Sequence, residues 1–385
     1  MSKPLENIVV LDLTRVLAGP YCTMILNNLG AEIIKVERPG IGDDARKFGP
    51  FKQNESAYFA SLNYGKKSIE LNLKKDEDLN KFKSLVEKAD VLVENFRPGT
   101  MEKLGLSYKK LKKINTQLVY ASISGFGQTG PDAKKPAYDM IVQGRGGLMS
   151  ITGEPGGPPI RVGASIGDIT AGLYGAIGIL TALFQRKETC EGQEIDVAML
   201  DCQISILENA IARFITTGEN PKPLGTKHPS IAPFQAFESK NDWIIIAAGN
   251  NNIWERLCNA LGIEQLINDP RFKTNDERCK NIDLLEQLIT QETIKYCKED
   301  LLELLKEHNV PCTSINSISD LFEDDQIKAR NMIKEMDSNK IGGFKVSGNP
   351  IKMGSFKEKG KVDEFPDVGE HTQEVLNKFL KEEKW

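Results

Sequence analysis

The chain has 385 residues, of which 40% are hydrophobic and 27% are charged, a composition typical of a folded globular protein rather than a disordered one. Its formal net charge of −4 gives no electrostatic basis for binding nucleic acid, so an anionic ligand must be held by local basic residues. The seven cysteines include no CxxC pair, the three histidines lie far apart in sequence, and no signal peptide precedes the first predicted strand. These features predict a cytoplasmic protein with reduced thiols and no metal site.

The first 130 residues alternate between strand and helix patterns. Apolar, β-branched runs predict strands, and apolar residues at helical spacing predict helices. The predicted strands are 7–13, 31–37, 67–73, 90–96 and 118–126, and the predicted helices are 18–30 and 76–89. This βαβ rhythm predicts an α/β protein with a mainly parallel sheet covered by helices.

A Gly- and Pro-rich stretch, residues 131–162, comes next and has the composition of a loop or lid. Asp168 then precedes sixteen uncharged residues, 169–184, which are too few to span a bilayer and which we interpret as a buried helix. The Asp168 carboxylate can cap this helix by accepting free backbone N–H groups. It can also be a nucleophile, because a helix N-terminus keeps a carboxylate ionised. Spacing alone favours the cap, since caps are far commoner than nucleophiles.

The remainder of the chain predicts a second, smaller unit. Residues 217–233 have the composition of a linker, and 234–249 have a hairpin-like pattern that begins the second unit. Helical patterns continue to about residue 308, and residues 310–326 lead back out of this unit. Asp196 and Asp201 flank a short apolar segment and are interpreted as structural residues.

Familiar nucleotide-binding motifs are absent where they would be required. The first strand is followed by TRVLAGPY rather than GxGxxG, and the chain has neither a GxxxxGK[ST] motif nor a GxSxG motif. Basic residues instead follow the predicted strands, with Arg38 after 31–37 and Arg97 after 90–96. Ligands of open α/β sheets bind beyond the carboxyl ends of strands, so these arginines are candidates for binding phosphate groups.

Eight segments carry a resemblance that covers nearly the whole chain in order: 10–46, 92–106, 120–131, 138–147, 163–175, 192–201, 310–316 and 369–376. Together they resemble the class III CoA-transferases, the family of formyl-CoA transferase and of the bacterial carnitine and bile-acid CoA-transferases. The resemblance implies a large Rossmann-like domain with a parallel sheet (1–216 and 327–385), linkers (217–233 and 309–326) and a smaller α/β domain (234–308). It also implies a homodimer whose two subunits are interlinked like rings.

The resemblance also assigns candidate site residues. Asp168 stands at the position of the family's catalytic aspartate, which implies a covalent aspartyl intermediate. The positions that match CoA-binding residues are Val16, Leu17, Ala18, Arg38, Leu71, Asn72, Leu73, Lys74, Asn95, Phe96, Arg97, Lys103, Ala137, Tyr138, Asp139 and Arg278. Lys103 replaces an arginine and retains only its charge, and Pro136 replaces a lysine for which Lys135 is a candidate substitute. Coenzyme A enters as a substrate, and the chemistry requires no other cofactor.

Two departures from the family pattern bear on the reaction. The glycine-rich gating loop of formyl-CoA transferase is not reproduced in residues 247–258, which favours an acyl group other than formate or oxalate. The related α-methylacyl-CoA racemases place a His–Asp pair where this chain has Tyr138 and Asp139, and a tyrosine with a pKa near 10 is a poor base at neutral pH. A non-catalytic CoA-binding protein is expected to lose the carboxylate that this chain retains at Asp168. The predicted function is therefore CoA transfer between carboxylic acids, with a racemase-type isomerase as the alternative.

Overall fold

A computed structural model describes residues 3–356 and 359–380. Residues 1–2, 357–358 and 381–385, which belong to the predicted large domain, lie outside the described residues. The chain divides into two compact units, of which unit 1 comprises Met1–Met149, Arg161–Glu219 and Asp325–Trp385. Unit 2 comprises Ser150–Ile160 and Asn220–Asp324.

The elements follow in chain order. The strands are β1 (Val9–Asp12), β2 (Glu32–Glu37), β3 (Phe51–Lys52), β4 (Glu55–Ser56), β5 (Lys67–Glu70), β6 (Val91–Glu94), β7 (Val119–Ser124), β8 (Glu194–Ala198), β9 (Phe234–Glu238), β10 (Trp243–Ala247), β11 (Cys312–Ser314), β12 (Ile333–Met336), β13 (Lys345–Ser347) and β14 (Lys361–Val362). The helices are α1 (Ala18–Asn28), α2 (Ala57–Asn63), α3 (Asp76–Lys88), α4 (Thr100–Lys103), α5 (Tyr108–Leu111), α6 (Asp139–Arg145), α7 (Leu148–Ile151), α8 (Ile166–Thr189), α9 (Met199–Ser205), α10 (Asn209–Thr217), α11 (Asn251–Leu261), α12 (Asn275–Lys280), α13 (Ile282–Thr293), α14 (Lys298–Glu307), α15 (Asp325–Ala329) and α16 (Thr372–Leu380).

Unit 1 is built on a six-stranded sheet in the order β5-β2-β1-β6-β7-β8, in which every paired neighbour is parallel. Numbered by their succession along the chain, these strands have the order 3-2-1-4-5-6 of a doubly wound sheet. The four inner strands β2, β1, β6 and β7 are mostly buried on both faces, and their largely apolar sequences follow from this. Helices α1 and α8 cover one face, and α3 and the C-terminal α16 cover the other. The predicted parallel α/β fold is confirmed.

Glycines on α8 allow it to cross α1 at close range. A Cβ atom at Gly172 would lie 2.8 Å from the carbonyl oxygen of Ala18, and one at Gly175 would lie 3.2 Å from Sγ of Cys22. Neither distance accommodates a larger side chain in that position. The crossing therefore places the beginning of α1 beside the first turns of α8, where Asp168 lies.

Helix α8 is long and apolar enough to cross a membrane by length and composition alone, with a mean hydropathy of 1.5. Half of that apolar window is buried within the protein, where it packs against α1, β7 and α9. The core helix of a soluble protein can have the same length and hydropathy, so these two properties alone are weak evidence for a membrane span.

Unit 2 contains an antiparallel three-stranded sheet in the order β11-β10-β9. Helices α11, α13 and α14 pack on it around a buried apolar cluster that includes Trp254, Phe237 and Phe272. The hairpin predicted for 234–249 is present as β9 and β10. Within the segment predicted as a gating-loop equivalent, α11 begins directly after Asn250, whose side chain accepts a hydrogen bond from the backbone N–H of Ile253 at 3.0 Å.

Residues 131–162, which have the composition of a loop or lid, also contain the helices α6 and α7. Helix α6 packs against α8 and α9, and these tertiary contacts outweigh the helix-breaking effect of the neighbouring glycines. Helix α8 likewise begins at Ile166, two residues before Asp168, so that Asp168 lies within the first turn instead of at the cap position.

Candidate active site

The sheet order changes direction between β1 and β6, and the loops that leave these strands meet at their carboxyl ends. The side chain of Asn95, which follows β6, accepts a hydrogen bond from the backbone N–H of Arg15 at 2.8 Å. The same side chain donates to the carbonyl oxygen of Arg15 at 2.8 Å. Such a switch point is where doubly wound sheets bind ligands.

A cavity of about 370 Å3 opens at this point, and we call it the Asp168 cavity. Its lining brings together nine of the sequence-predicted site residues, from four separate segments of unit 1: Val16, Leu17, Ala18, Asn95, Phe96, Arg97, Ala137, Tyr138 and Asp168. Lys135 and Pro136 also line it, and Lys135 forms an ion pair with Asp132 at 2.6 Å. The candidate substitute for the missing lysine thus lies at the cavity.

A second cavity of about 540 Å3, which we call the Arg38 cavity, lies beyond the ends of β2 and β5. The predicted residues in its lining are Arg38, Leu71, Asn72, Leu73, Lys74 and Phe96. Arg15 and Phe96 line both cavities, so the two adjoin. Together they offer an elongated site with apolar walls and basic residues, which suits a long anionic ligand.

Three predicted site residues do not line either cavity. Lys103 is exposed on α4, between Thr100 and Leu104, which do line the Arg38 cavity. Asp139 is buried at the start of α6.

Arg278, the third, lies in the core of unit 2 with 0% exposure. Its guanidinium donates to the carbonyl oxygens of Ala232 (2.7 Å) and Phe272 (2.9 Å) and to Oδ1 of Asn251 (2.9 Å). The expectation that Arg278 contacts CoA is therefore corrected: its donors are engaged and it is a structural residue of unit 2.

The beginning of α8 is capped by Asp139 and not by Asp168. Oδ1 of Asp139 accepts a hydrogen bond from the backbone N–H of Gly167 at 2.8 Å, and Oδ2 accepts one from Nε2 of Gln143 at 2.7 Å. Gly167 is required here, because a Cβ atom at this position would lie 3.0 Å from that Oδ1 and 2.8 Å from the Val142 side chain. Asp168 is consequently released from the capping role that its position suggested.

The Asp168 carboxylate faces the cavity without a hydrogen-bond donor among residues 3–356 and 359–380. Burial, and to a smaller extent the negative charge of Asp139, together raise the pKa of Asp168 to about 7. The carboxylate therefore titrates near neutral pH, and its lone pairs are not engaged by the protein. These are properties of a functional group rather than a structural one.

Arg15, which the sequence reasoning did not single out, belongs to the site, and Tyr58, which lines neither cavity, lies near enough to Asp168 for its pKa to respond to that charge. Arg15 lines both cavities, lies over the Phe96 ring at 5.2 Å and pairs with Asp44 at 2.9 Å. Burial and the charge of Asp168 raise the pKa of Tyr58 to about 12. The motif TRVLAGP contains Arg15, but only the switch-point geometry indicates its position between the cavities.

Residues 5–372 match the family model described as CoA-transferase family III. The chain belongs to this family. It is 41% identical to the acetyl-CoA:oxalate CoA-transferase of Acetobacter aceti, over 98% of this chain and 96% of that protein. It is 38% identical to the succinyl-CoA:glutarate CoA-transferase of Mus musculus, over 98% of this chain and 87% of that protein.

A crystal structure of a CAIB/BAIF family protein from Brucella suis superposes with a TM-score of 0.88 at 38% identity, covering 98% of this chain and 100% of that one. The family resemblance inferred from sequence is confirmed, and the protein is a family III CoA-transferase. The Asp168 and Arg38 cavities are accordingly the candidate site for acyl-CoA and carboxylic acid substrates.

Proposed function

We propose that this CoA-transferase moves CoA from an acyl-CoA to a carboxylic acid through a covalent intermediate on Asp168. The observation that carries the proposal is the Asp168 carboxylate itself, which lines the switch-point cavity and accepts no hydrogen bond from the described protein. A carboxylate without donors is a stronger nucleophile than one that is hydrogen-bonded, and covalent catalysis divides one difficult exchange into easier steps.

In the first half of the reaction, ionised Asp168 attacks the thioester carbonyl of the donor, and the C–S bond breaks. This gives a mixed anhydride and CoA thiolate. The thiolate then attacks the aspartyl carbonyl, the donor acid leaves as its carboxylate, and an aspartyl-CoA thioester remains. The acceptor carboxylate attacks this thioester and forms a second anhydride with release of the thiolate. Attack of the thiolate on the acceptor's acyl carbon gives the product acyl-CoA and regenerates the Asp168 carboxylate.

Each tetrahedral step develops negative charge on an oxygen, and the beginning of α1 can stabilise it. Leu17 and Ala18 line the Asp168 cavity, and α1 starts at Ala18 without a side-chain cap. The first N–H groups of a helix lack intrahelical acceptors and carry partial positive charge. Donors of this kind, fixed beside the reacting carbonyl, are an effective means of transition-state stabilisation.

The acceptor is proposed to be a short dicarboxylic acid. Two relatives are named for oxalate and for glutarate, both of which carry a second carboxylate. Three basic residues, Arg15, Arg97 and Lys135, line the Asp168 cavity together with the acidic residues Asp44 and Asp168, so its lining has an excess of positive charge in a chain whose net charge is −4. Arg15 and Lys135 form ion pairs with Asp44 and Asp132. Oxalate is retained among these acids despite the gating-loop argument, because a relative 41% identical to this chain is named for it.

We further infer that the enzyme is a homodimer. Helices α8 and α10 each present large apolar side chains to solvent in unit 1, among them Phe184 at 70% and Ile215 at 76% exposure. Contiguous exposed apolar faces mark interaction surfaces, and most oligomers are symmetric assemblies of one chain.

The covalent intermediate can be trapped. Incubation with acyl-CoA alone, followed by hydroxylamine or borohydride, is expected to modify Asp168 irreversibly within the tryptic peptide 162–186. Asp168→Asn provides the unlabelled control. An isomerase of the racemase type moves a proton and never acylates its aspartate, and a binding protein does neither. Label on another carboxylate, such as Asp139 or Asp196, would refute the assignment.

A further inference from the structure

The loop between β1 and α1 contains a strained residue at the edge of the Asp168 cavity. Val16 has a φ of 69°, in the left-handed region. A β-branched side chain rarely adopts this conformation, and it persists only where the surroundings impose it. Residues 1–18 include no glycine, so the loop has no residue that could adopt this conformation without strain.

Side chains hold the backbone of this loop from Thr14 to the N–H of Val16. The N–H of Thr14 donates to Oδ1 of Asp12 at 2.8 Å, and its carbonyl oxygen accepts from Nζ of Lys35 at 2.8 Å. Asn95 holds both the N–H and the carbonyl oxygen of Arg15. The N–H of Val16 itself donates to Oδ1 of Asp43 at 3.1 Å.

Two of these side chains, Lys35 and Asp43, form an ion pair of their own. Nζ of Lys35 lies 2.9 Å from Oδ2 of Asp43, and both side chains are 0% exposed. Nearby acidic groups keep the pKa of Lys35 raised despite its burial, and Lys35 keeps the pKa of Asp43 low against its own burial, so both are charged at neutral pH. A buried ion pair contributes little net stability compared with apolar residues of the same size. The pair also fixes the loop on either side of Arg15. Lys35 donates to the carbonyl oxygen of Thr14, and Asp43 accepts from the N–H of Val16.

On this basis we infer that Lys35 and Asp43 are positioning residues for the acyl-transfer steps. They hold Val16 in the left-handed conformation, which directs the chain into α1 so that Leu17 and Ala18 line the cavity opposite Asp168. Their effect falls on the rate of the chemical steps rather than on CoA binding, because both side chains are 0% exposed and contact the loop backbone. Lys35 lines neither cavity, and Asp43 borders the Arg38 cavity with its side chain turned to Lys35 and Val16. This inference rests on the proposed function of Asp168 and adds the reason why the α1 donors are correctly placed.

The chain offers a matched control at the opposite end of the same strand. Asp90 also accepts a backbone hydrogen bond, from the N–H of Val9 at 2.9 Å, and also forms an ion pair, with Arg186 at 2.7 Å. It lies at the amino end of β1, away from both cavities. Asp43→Asn and Asp90→Asn therefore each remove one negative charge that pairs with a basic residue and accepts a backbone N–H, at the two ends of β1; the Asp43 side chain is 0% exposed and that of Asp90 is 24% exposed.

The test measures kcat and KM for CoA exchange together with thermal unfolding. Asp43→Asn is expected to lower kcat about 100-fold with KM for the acyl-CoA within about twofold of wild type, because displacing a catalytic donor by about 1 Å has effects of this size. Asp90→Asn is expected to lower the unfolding temperature with kcat within about twofold. Equal losses of kcat in the two variants, or an increase in KM alone, would overturn the inference.

A second variant tests whether the strain at Val16 is what the pair controls. Glycine adopts the left-handed conformation without penalty, so Val16→Gly in the Asp43→Asn background is expected to restore kcat at least about tenfold without restoring the unfolding temperature. A crystal structure of Asp43→Asn should show Val16 with a negative φ. Absence of rescue together with an unchanged φ would refute the positioning role. Wild-type exchange and labelling of Asp168 are measured alongside, so that a failure of the proposed function is seen in the parent enzyme and not only in the variants.

Discussion

Replacement of Asp168 by asparagine is expected to stabilise the protein while abolishing its activity. The folded state holds this carboxylate in a partly buried cavity, without donors and near the charge of Asp139. The pKa of Asp168 is therefore raised from 3.8 to about 7 in the folded state. Above pH 3.8 ionisation of this group stabilises the unfolded chain, whereas in the folded protein the group does not ionise until the pH approaches 7. Stability is accordingly lost as the pH rises through this window and is constant above it.

The shift sets an upper limit of about 4 kcal/mol on this loss, at about 1.4 kcal/mol per pKa unit. Solvent reaches part of the carboxylate, which reduces the effect, and we expect roughly half of the limit, or about 2 kcal/mol. Asparagine has nearly the same shape and does not ionise, so Asp168→Asn should recover this amount near pH 8 and much less near pH 5.

Urea unfolding of wild type and Asp168→Asn at these two pH values measures the difference. Asp201→Asn is the control, because Asp201 is exposed in the first turn of α9. CoA exchange by Asp168→Asn should fall by about 1,000-fold or more, as expected for loss of a nucleophile. A variant no more stable than wild type near pH 8 would show that the folded protein does not raise the pKa of Asp168. Retained CoA exchange would show that Asp168 is not the nucleophile.

Three further outcomes follow from the same geometry. The rate of Asp168 acylation should rise with pH to a plateau above about pH 7, and a pH-independent rate would contradict this. Asp139→Asn should lower the midpoint of this pH profile, because it removes a neighbouring negative charge. Arg38→Ala should raise KM for acyl-CoA about tenfold in steady-state kinetics, with little change in kcat. The control Lys47→Ala changes an exposed lysine outside both cavities and should leave KM unchanged. A collapse of kcat in Arg38→Ala would refute a role for Arg38 in binding the CoA phosphates. Sedimentation should show a dimer that Phe184→Asp weakens, and an active wild-type monomer at micromolar concentration would exclude the dimer.

The sheet and the location of the site were predictable from sequence because both depend on strong local patterns. Strands β1, β2, β6 and β7 are buried on both faces, so they stand out as apolar, β-branched runs, although each is shorter than predicted. A parallel sheet gathers the residues that follow its strands at one edge. Arg38 and Arg97 could therefore be placed at the edge where the two cavities open without knowledge of their contacts, whereas Asn95 was assigned only by the family resemblance.

The contacts that position the reactive groups could not be predicted in this way. Lys35 alternates with apolar residues in β2, a pattern typical of a solvent-facing side chain, yet it is completely buried because Asp43 returns to pair with it. Arg278 was expected to contact CoA because of the family resemblance, but Ala232, Phe272 and Asn251 accept hydrogen bonds from it within unit 2. In both cases a charge is buried through partners that lie outside its own strand or helix, and the periodicity of that element carries no information about them.

Two carboxylates, Asp139 and Asp168, lie at the beginning of α8, and they explain why spacing in the sequence could not distinguish a helix cap from a nucleophile at Asp168. A helix N-terminus offers free N–H groups, and the nearest acidic residue in sequence is the natural candidate to accept them. Here Asp139, 28 residues away, approaches through the space left by Gly167 and accepts that hydrogen bond instead. Asp168 is left with its oxygens unengaged in the cavity, and the charge of Asp139 raises its pKa. One carboxylate thus performs the structural task at the helix N-terminus, and this division leaves the other available for chemistry.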